Sequence, residues 1–414
     1  MAEKITEQIN KQPVLNIGMI GHIDHGKTTL LHRLTGKWTD THSEELKRGI
    51  TIKLGYADSL IRKCSCGYTI KEKCEKCGKN TQPIRHISFV DAPGHEMLMA
   101  TMLSGAAIID AAILVIAVNE KCPQPQTKEH LAALQVKDIK QIIIVQNKID
   151  LVSKEEAEKN YQEIKEFVKG TIAENAEIIP MSAQQGINID VLLERICSME
   201  IPERNTKEKP VFFIARSFDV NKPGVAAEQL SGGVLGGILK QGILHVGDEI
   251  EIKPGIAEKK HNSTIYKTIK TKILALQSGK NKLEEAFPSG SLAIQTELDP
   301  FLTKADSLAG CVASSVGFLP EISNTVKLKT KLFTKVVGTK KELEVEKIKQ
   351  NEPLLLSINT TITVGVVTSI RGNEKEQEIQ IALKIPVVAL KGTKGGIARN
   401  LQGHWRLIGW GEIL

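Results

Sequence analysis

The loop Gly21-His-Ile-Asp-His-Gly26-Lys27-Thr28 constrains the fold of this chain more than any other stretch, because it fits the phosphate-binding pattern G-x-x-x-x-G-K-[ST]. The apolar run 14–20 before it predicts a buried strand, and residues 28–34 after it predict a helix that ends at Gly36. A strand, a glycine loop and a helix form the context that this motif needs. The alternative is a chance match in a glycine-bearing turn.

The residue types in this loop suit phosphate binding. Glycines at both ends let backbone N–H groups approach phosphate oxygens without a Cβ in the way, and the start of the helix adds the positive end of a dipole. Lys27 is expected to reach the β- and γ-phosphates, and the Thr28 hydroxyl to hold Mg²⁺. The predicted phosphate-binding residues are Gly21, Asp24, His25, Gly26, Lys27, Thr28 and Thr29.

The chain has 414 residues, which suggests two to three domains, and its formal net charge of +7 favours an anionic partner. No apolar run approaches the length that spans a bilayer, so no membrane association is expected. Residues 1–12 are polar and lack the apolar core of a signal peptide. We therefore expect a cytoplasmic protein with a flexible N-terminus at 1–12.

Apolar strand-like runs alternate with helical patterns from about residue 14 to residue 200, which predicts an α/β domain with a mostly parallel sheet and helices on both faces. The stretch 201–210 is charged, carries two prolines and is predicted to be a linker. The short strands after it have the spacing of a β-barrel or a sandwich. We expect a nucleotide-binding domain at 13–205, followed by two β-barrel domains at 206–320 and 321–414.

The motif Asn147-Lys-Ile-Asp150 follows a predicted strand and indicates which base is bound. Guanine offers N1–H and N2–H₂ donors on one edge, and the Asp150 carboxylate can accept both, which adenine cannot satisfy. Asn147 is expected to bond the O6/N7 side and hold neighbouring loops, while the Lys148 stem lies along the base. A polar surface turn is the alternative.

A second short motif, residues 182–184, follows the apolar run 178–181. Its middle backbone N–H is the expected donor to guanine O6. The tripeptide is a weak signal alone, but after a phosphate loop and 147–150 it completes a predicted guanine site. Its residues are Ser182, Ala183 and Gln184.

Asp91-Ala-Pro-Gly94 follows the predicted strand 87–90. An Asp at this place in P-loop enzymes holds Mg²⁺, here through water, and the Gly94 N–H is expected to contact the γ-phosphate. His95 comes next and is predicted to orient the attacking water, the role that a glutamine plays elsewhere. The alternative for His95 is a structural histidine that caps the following helix.

Thr51, in Arg48-Gly-Ile-Thr-Ile, lies between the phosphate-loop helix and the next strand. Its hydroxyl is predicted to hold Mg²⁺ and its N–H to contact the γ-phosphate, so that residues 37–53 form a loop ordered by triphosphate. The alternative is an ordinary loop threonine. Together the five motifs predict a GTP-hydrolysing switch, with catalysis by positioning and by charge neutralisation from Lys27 and Mg²⁺.

Four clustered cysteines lie in a polar, lysine-rich insertion at 63–80, and a glycine follows each pair. Thiolates are soft ligands for tetrahedral Zn²⁺, and glycine lets backbone N–H groups turn toward sulfur. A disulfide pair is disfavoured in the cytoplasm, and a redox Cys-x-x-Cys lacks a thioredoxin-like context. We predict a structural zinc knuckle with the ligands Cys64, Cys66, Cys74 and Cys77.

The motifs at 21–30, 48–52 and 91–95 resemble those of the translational GTPases. A narrower resemblance is to the gamma subunit of archaeal and eukaryotic translation initiation factor 2. Its basis is the stretch 42–56, the cysteine knuckle, and the segments 123–127, 216–224 and 405–411. The first cysteine pair is Cys-x-Cys here, where the commoner pattern of the family is Cys-x-x-Cys.

This resemblance implies a GTPase, slow without an activator, that carries methionyl initiator tRNA to the small ribosomal subunit. It implies a heterotrimer in which an alpha subunit docks on the first barrel and a beta subunit on the GTP-binding domain. It also implies one Mg²⁺ held by Thr28 and Thr51, and a second held by Asp24 and the Gly49 carbonyl. The alternatives are an elongation-type or selenocysteine-specific tRNA carrier, and a scaffold subunit with little hydrolysis.

Overall fold

The computed structural model describes residues 11–38, 54–92, 99–221, 229–260, 263–338, 343–372 and 377–414. The chain divides into two compact units, residues 1–202 with 336–343 and residues 203–335 with 344–414. In the described ranges, no helix is both long and apolar enough to cross a membrane. Gln12 is buried, so the packed chain begins before the boundary expected after residue 12.

A seven-stranded mixed sheet forms the centre of the first unit, in the order β3-β2-β4-β1-β5-β6-β7. The five strands from β4 to β7 in this order are parallel, whereas β2 pairs antiparallel with β3 and with β4. This arrangement confirms the predicted, mostly parallel α/β domain. The strands are β1 Leu15–Gly21, β2 Gly55–Cys64, β3 Gly67–Thr69, β4 Gln82–Asp91, β5 Ala111–Ala117, β6 Gln141–Asn147 and β7 Glu177–Pro180.

Helices cover both faces of this sheet. Every residue of β5 is buried, and because side chains alternate between faces, both faces must be covered. Leucines of α1 and α5 share one core with alternate residues of β1 and β5. The helices are α1 Lys27–Thr35, α2 Met99–Ala106, α3 Pro125–Val136, α4 Lys154–Val168 and α5 Ile189–Ser198.

The parallel strands bring the sequence motifs to one edge of the sheet. The strand β1 ends at Gly21, β4 at Asp91 and β6 at Asn147. Carboxyl ends of parallel strands lie side by side, and this edge is where open α/β sheets bind ligands. The distances between these motifs in the sequence therefore do not reflect their distances in space.

The second unit begins with a closed barrel. Six strands form its ring in the order β11-β16-β8-β9-β15-β12, which the pairing of β11 with β12 closes. The short strand β13 pairs with β12 of this ring, and the short strands β10 and β14 pair with each other in a separate two-stranded sheet. The bounds are β8 Val211–Phe218, β9 Val234–Gln241, β10 Leu244–His245, β11 Glu249–Lys260, β12 Ser263–Ser278, β13 Asn281–Leu283, β14 Glu285–Ala286, β15 Leu292–Thr296 and β16 Val312–Ser315.

A second closed barrel follows, in the order β17-β20-β19-β18-β21-β22. Closure of both rings confirms the prediction of two barrels and answers the open question of barrel or sandwich. The alternation of buried and exposed residues along β17 is typical of a barrel wall. The strands are β17 Ile322–Leu332, β18 Pro353–Ile358, β19 Thr361–Gly372, β20 Gln377–Val388, β21 Lys394–Leu401 and β22 His404–Ile413.

Buried polar contacts join the two barrels within the second unit. Lys253 Nζ donates to the carbonyl of Leu319, at 3.0 Å, in the segment between the barrels. Glu251 lies 3.7 Å from Lys253 Nζ and accepts the Leu319 N–H at 3.2 Å. Thr360 of the second barrel donates to the Ile214 carbonyl of the first at 3.0 Å. Hydrogen bonds between buried groups, shielded from water, thus help to hold these barrels together.

Candidate nucleotide site

The predicted phosphate loop runs from the end of β1 into α1. Gly21 has φ 141° and Gly26 has φ 91°, both in the region that favours glycine. A Cβ on Gly21 would lie 2.2 Å from the Val115 carbonyl oxygen, and one on Gly26 would lie 2.4 Å from Asn147 Nδ2. Close packing as well as backbone conformation therefore requires both glycines.

The two side chains after Gly26 already have partners at the loop. Lys27 is buried, and its Nζ donates to the His22 carbonyl at 2.7 Å. The Thr28 hydroxyl donates to Asp91 Oδ2 at 3.0 Å, and Asp91 is fully buried. The structure thus brings together two of the residues predicted to hold Mg²⁺, a hydroxyl and a carboxylate of the oxygen type that this ion prefers.

Asn147 connects the phosphate loop to the loop that carries residues 182–184. Its Nδ2 donates to the His25 carbonyl at 2.9 Å, and its Oδ1 accepts the Ala183 N–H at 3.0 Å. In the structure this N–H thus has an acceptor within the protein, and its expected donation to guanine O6 remains a prediction. A buried N–H needs an acceptor, and the Asn147 amide oxygen supplies it.

The remaining predicted base-binding residues lie around this bridge. Lys148 has φ 67° and precedes the 3₁₀ helix Ile149–Leu151, which places the exposed Asp150 beside the loop. The Ser182 hydroxyl accepts the N–H of Gln185 at 3.1 Å, a local bond that shapes the turn containing Gln184. These roles in base recognition remain predictions.

Arg33 of α1 is a residue that sequence reasoning missed. Its Nε donates to the Ala183 carbonyl at 2.9 Å, and its Nη2 donates to the Gln184 carbonyl. The helix that begins in the phosphate loop therefore also holds the predicted base loop. No local pattern marks this arginine, because its partners are about 150 positions away in the sequence.

Four predicted residues fall outside the described ranges. These residues were predicted to meet the γ-phosphate, the attacking water or Mg²⁺, and their roles remain predictions. Asp24 is described, is exposed and has φ 59°. The four are Gly49, Thr51, Gly94 and His95.

Burial disfavours the charged form of two histidines of the loop. Burial lowers the pKa of His25 to about 4, and burial also lowers the pKa of His22. His25 Nδ1 carries its proton, because it lies 3.1 Å from the Val115 carbonyl, which can only accept. The positive charge inside the phosphate loop therefore comes from Lys27.

His130, on α3, is a second residue that the sequence analysis did not single out. It is 3% exposed, and its Nδ1 accepts the backbone N–H of Gly21 at 2.8 Å. The only sequence signal was a polar pair, Glu129 and His130, in a helix that is otherwise buried and apolar at its centre. Such a pair suggests a buried polar contact but does not indicate which residue takes part in it.

The four clustered cysteines lie together at the end of β2 and in the loop after β3. Their sulfur atoms all lie within 4.8 Å of one another, and each is a free thiol. About 3.8 Å separates sulfurs around tetrahedral Zn²⁺ with Zn–S bonds of about 2.3 Å, so small adjustments would accommodate the ion. A hydrogen bond with Cys64 lowers the pKa of Cys74 to about 6, which favours the thiolate form that a metal requires.

Gly67 has φ 127° and Gly78 has φ 68°, and the Cys66 N–H lies 3.3 Å from Cys64 Sγ. Both glycines thus adopt conformations that favour glycine, and in the first pair a backbone N–H, that of Cys66, points toward sulfur. The residues present fit a structural zinc ion.

Family models match most of the chain in two parts. The model described as "Elongation factor Tu GTP binding domain" matches residues 12–202, and "Initiation factor eIF2 gamma, C terminal" matches residues 324–413. Translation initiation factor 2 subunit gamma of Methanococcus maripaludis is 55% identical over 98% of this chain and 99% of its own length. The Pyrococcus horikoshii protein of the same name is 54% identical over 97% and 98%.

The chain belongs to the gamma-subunit family of translation initiation factor 2. It is accordingly a translational GTPase that acts in initiation, and its GTP-binding domain implies GTP, GDP and Mg²⁺ as ligands. Membership of this family rests on nearly the full length of the chain, since the similarity to these relatives extends over 97–98% of it.

Solved structures of other translation factors share the fold of this gamma-family member. A bacterial selenocysteine-specific elongation factor has a TM-score of 0.73 at 24% identity, over 97% of this chain and 58% of that one. Elongation factor SelB from Methanococcus maripaludis, in complex with the GTP analogue GppNHp, has a TM-score of 0.71 at 24% identity, over 97% and 79%. At this identity the likeness shows the fold alone.

Proposed function

We propose that this GTPase binds methionyl initiator tRNA in its GTP form and delivers it to the small ribosomal subunit, where hydrolysis switches it to release. The observation that carries the proposal is 54–55% identity, over nearly the whole chain, to proteins named initiation factor 2 subunit gamma. The selenocysteine-specific factors match the fold at only 24% identity, which favours initiation over that alternative.

In this proposal, GTP occupies the edge of the sheet where β1, β4 and β6 end. The loop 21–28 binds the phosphates, Asp150 accepts the guanine donors, and Asn147 holds the two loops in register. Mg²⁺ is held by Thr28 and Thr51, with Asp91 acting through water, and supplies positive charge to the β- and γ-phosphate oxygens. His95 orients the attacking water, and the Gly94 N–H contacts the γ-phosphate.

Zinc in the cysteine knuckle has a structural role in this proposal. The knuckle is anchored to α5, where Lys76 Nζ lies 3.2 Å from Asp190 Oδ2, and not to the phosphate loop. The partners are an alpha subunit on the first barrel, a beta subunit on the GTP-binding domain and the small ribosomal subunit. A second Mg²⁺ at Asp24 and the Gly49 carbonyl completes the proposed ligand set.

An exposed apolar surface at one end of the first barrel supports binding of an aminoacylated tRNA end. Phe218 and Phe301 are exposed, Phe301 at 76%, and Thr303 connects their segments by donating to the Phe218 carbonyl at 3.1 Å. Val220 is exposed in the segment that follows Phe218. An apolar methionine side chain and the flat face of a terminal base are chemically suited to such a surface.

Protection of the aminoacyl ester tests the proposal. The chain and its alpha partner are mixed with methionyl initiator tRNA or with a charged elongator tRNA, under GTP–Mg²⁺ and under GDP–Mg²⁺, and ester hydrolysis is timed. Slower hydrolysis of the initiator only, and only with GTP, is the expected result. Equal protection of both tRNAs would indicate an elongation-type carrier, and no protection would indicate a scaffold subunit.

A further inference from the structure

The helix α3 lies against the phosphate loop and contacts its first residue. His130 of this helix is buried, and its Nδ1 accepts the Gly21 N–H. This contact determines where the first residue of the loop can lie.

The Gly21 contact fixes the protonation of His130 at Nδ1. A backbone N–H can only donate, so this ring nitrogen must present a lone pair. The distance of 2.8 Å is that of a good N–H···N hydrogen bond, and both groups are buried. A protonated or missing Nδ1 would leave the Gly21 N–H without its acceptor in a place that water does not reach.

Gly21 has little freedom to compensate for such a loss. It stands opposite Val115 in the pairing of β1 with β5, and there is no space for a Cβ at the Val115 carbonyl. Two peptides further along the chain, the His22 carbonyl receives the ammonium group of Lys27 at 2.7 Å. A rotation of the peptide at Gly21 would therefore also move the carbonyl that holds Lys27.

We propose that His130 is a positioning residue of this GTPase: its unprotonated Nδ1 fixes the peptide of Gly21, and thereby sets the loop and Lys27 in the geometry that retains a nucleoside diphosphate or triphosphate. His130 acts through Gly21 and does not touch the ligand. The proposal rests on the predicted phosphate-binding role of residues 21–28, so the experiment must be able to separate the two.

Dissociation of a fluorescent GDP, chased with unlabelled GDP in the presence of Mg²⁺, measures the effect. His130→Leu removes the acceptor of the buried Gly21 N–H. Because this donor is then left without a partner, we expect GDP dissociation to become about ten- to hundredfold faster. In His130→Asn the amide oxygen takes the position of Nδ1, so the rate is expected to stay within about threefold of the wild-type rate. Gln135→Leu, on the exposed side of α3, is the matched control.

Two further variants separate the possible failures. His130→Gln carries its amide oxygen at the position of Nε2 and is expected to resemble His130→Leu, which keeps the test available if the leucine variant does not fold. Lys27→Ala tests the loop itself. If Lys27→Ala binds GDP like the wild type, the phosphate-loop assignment is wrong. The positioning role of His130 is overturned if Lys27→Ala binds GDP poorly while His130→Leu releases GDP at the wild-type rate. It is also overturned if GDP dissociates equally fast from His130→Asn and His130→Gln.

Discussion

Asp150 is the residue predicted to read the base, and the structure places it exposed beside the Asn147 bridge. Xanthine has a carbonyl at C2 where guanine has an amino group, and an asparagine can donate to that carbonyl. We therefore expect Asp150→Asn to weaken GDP binding about a hundredfold, through loss of charged hydrogen bonds, and to strengthen XDP binding. Calorimetry with both nucleotides measures this, with Glu155→Gln on α4 as control. Unchanged affinities for both nucleotides would remove Asp150 from the base site.

At the residue scale, the sequence predicted those functional positions that follow a strand and carry distinctive chemistry, such as Lys27, Asp91 and Asn147. It did not predict Arg33 or His130. Both act through contacts with backbone groups more than 100 residues away in the sequence. Local patterns hold no information about such pairs. The bond from the Ala183 N–H to the Asn147 side chain was missed for the same reason, and the donor role of this N–H toward guanine O6 remains a prediction.

At the element scale, a half-buried charge cluster joins β2 and β4 to the segment that follows α1. Asp58 of β2 lies 3.3 Å from Nε2 of His86 on β4 and accepts Lys37 Nζ at 3.0 Å. These hydrogen bonds, that of His86 first, lower the pKa of Asp58 from 3.8 to about 2. The folded state therefore binds the proton less readily than the unfolded chain, and the contribution to stability is present above about pH 4 and is lost between about pH 4 and pH 2.

We expect Asp58→Asn to lower the free energy of unfolding by about 2 kcal/mol at pH 7, which is the cited pKa difference in energy units. The difference between variant and wild type should shrink as the pH falls from about 4 to 2. Urea unfolding at a series of pH values measures it, and Glu166→Gln, whose side chain is exposed, is the control. A difference that is independent of pH would show that lost packing, not charge, is responsible.

The cysteine knuckle is an element whose stability depends on the proposed zinc. We expect about one zinc ion per chain in the wild type, and far less in Cys74→Ser, because a structural site uses four ligands. Cys197→Ser, outside the cluster, should keep its zinc. Metal content by mass spectrometry and amide exchange over residues 63–80 provide the measurement. A zinc-free wild type, or a Cys74→Ser protein with full zinc content, would contradict the site. GDP affinity is expected to be unchanged, since the knuckle contacts α5.

Element boundaries were predictable where the hydrophobic pattern was strong. The helix expected at 28–34 forms at Lys27–Thr35. The antiparallel strands β2 and β3 were not predicted, because the mostly polar insertion at 63–80 breaks the apolar pattern around them. Their place in the sheet depends on pairing with β4 and not on local propensity.

At the scale of the whole molecule, the second unit depends on the buried pair of Lys253 and Glu251 that receives the Leu319 segment. Lys253→Met leaves the carboxylate buried without its cation, so we expect the barrels to lose about 3–5 kcal/mol of stability. The double variant Glu251→Gln/Lys253→Met keeps an acceptor for the Leu319 N–H and should regain most of it. Thermal unfolding measures both. Equal losses in the single and double variants would show that the charge pair is not the cause.

The division into an α/β domain and two barrels was predictable because composition and periodicity change at residues 201–210. The contacts that join the barrels were not. Thr360 and Thr361 resemble ordinary strand residues, yet their hydroxyls donate to the carbonyls of Ile214 and Gly310 in the other barrel. A threonine that closes an interface cannot be recognised until the topology has brought its partner to it.

The bridge made by Asn147 has a consequence for how sequences of this kind can diverge. The Asn147 amide fills the position that a Cβ on Gly26 would need, and it also bonds the His25 carbonyl and the Ala183 N–H. Three segments that are distant in the sequence therefore form one packing arrangement. Substitutions at these positions should show strong epistasis, because sites in direct contact do not contribute additively. A side chain at Gly26 would displace the Asn147 amide and so damage phosphate and base recognition together, and a change at position 147 would relieve the clash but not the positive φ. We therefore expect substitutions at these distant positions to occur together among natural sequences.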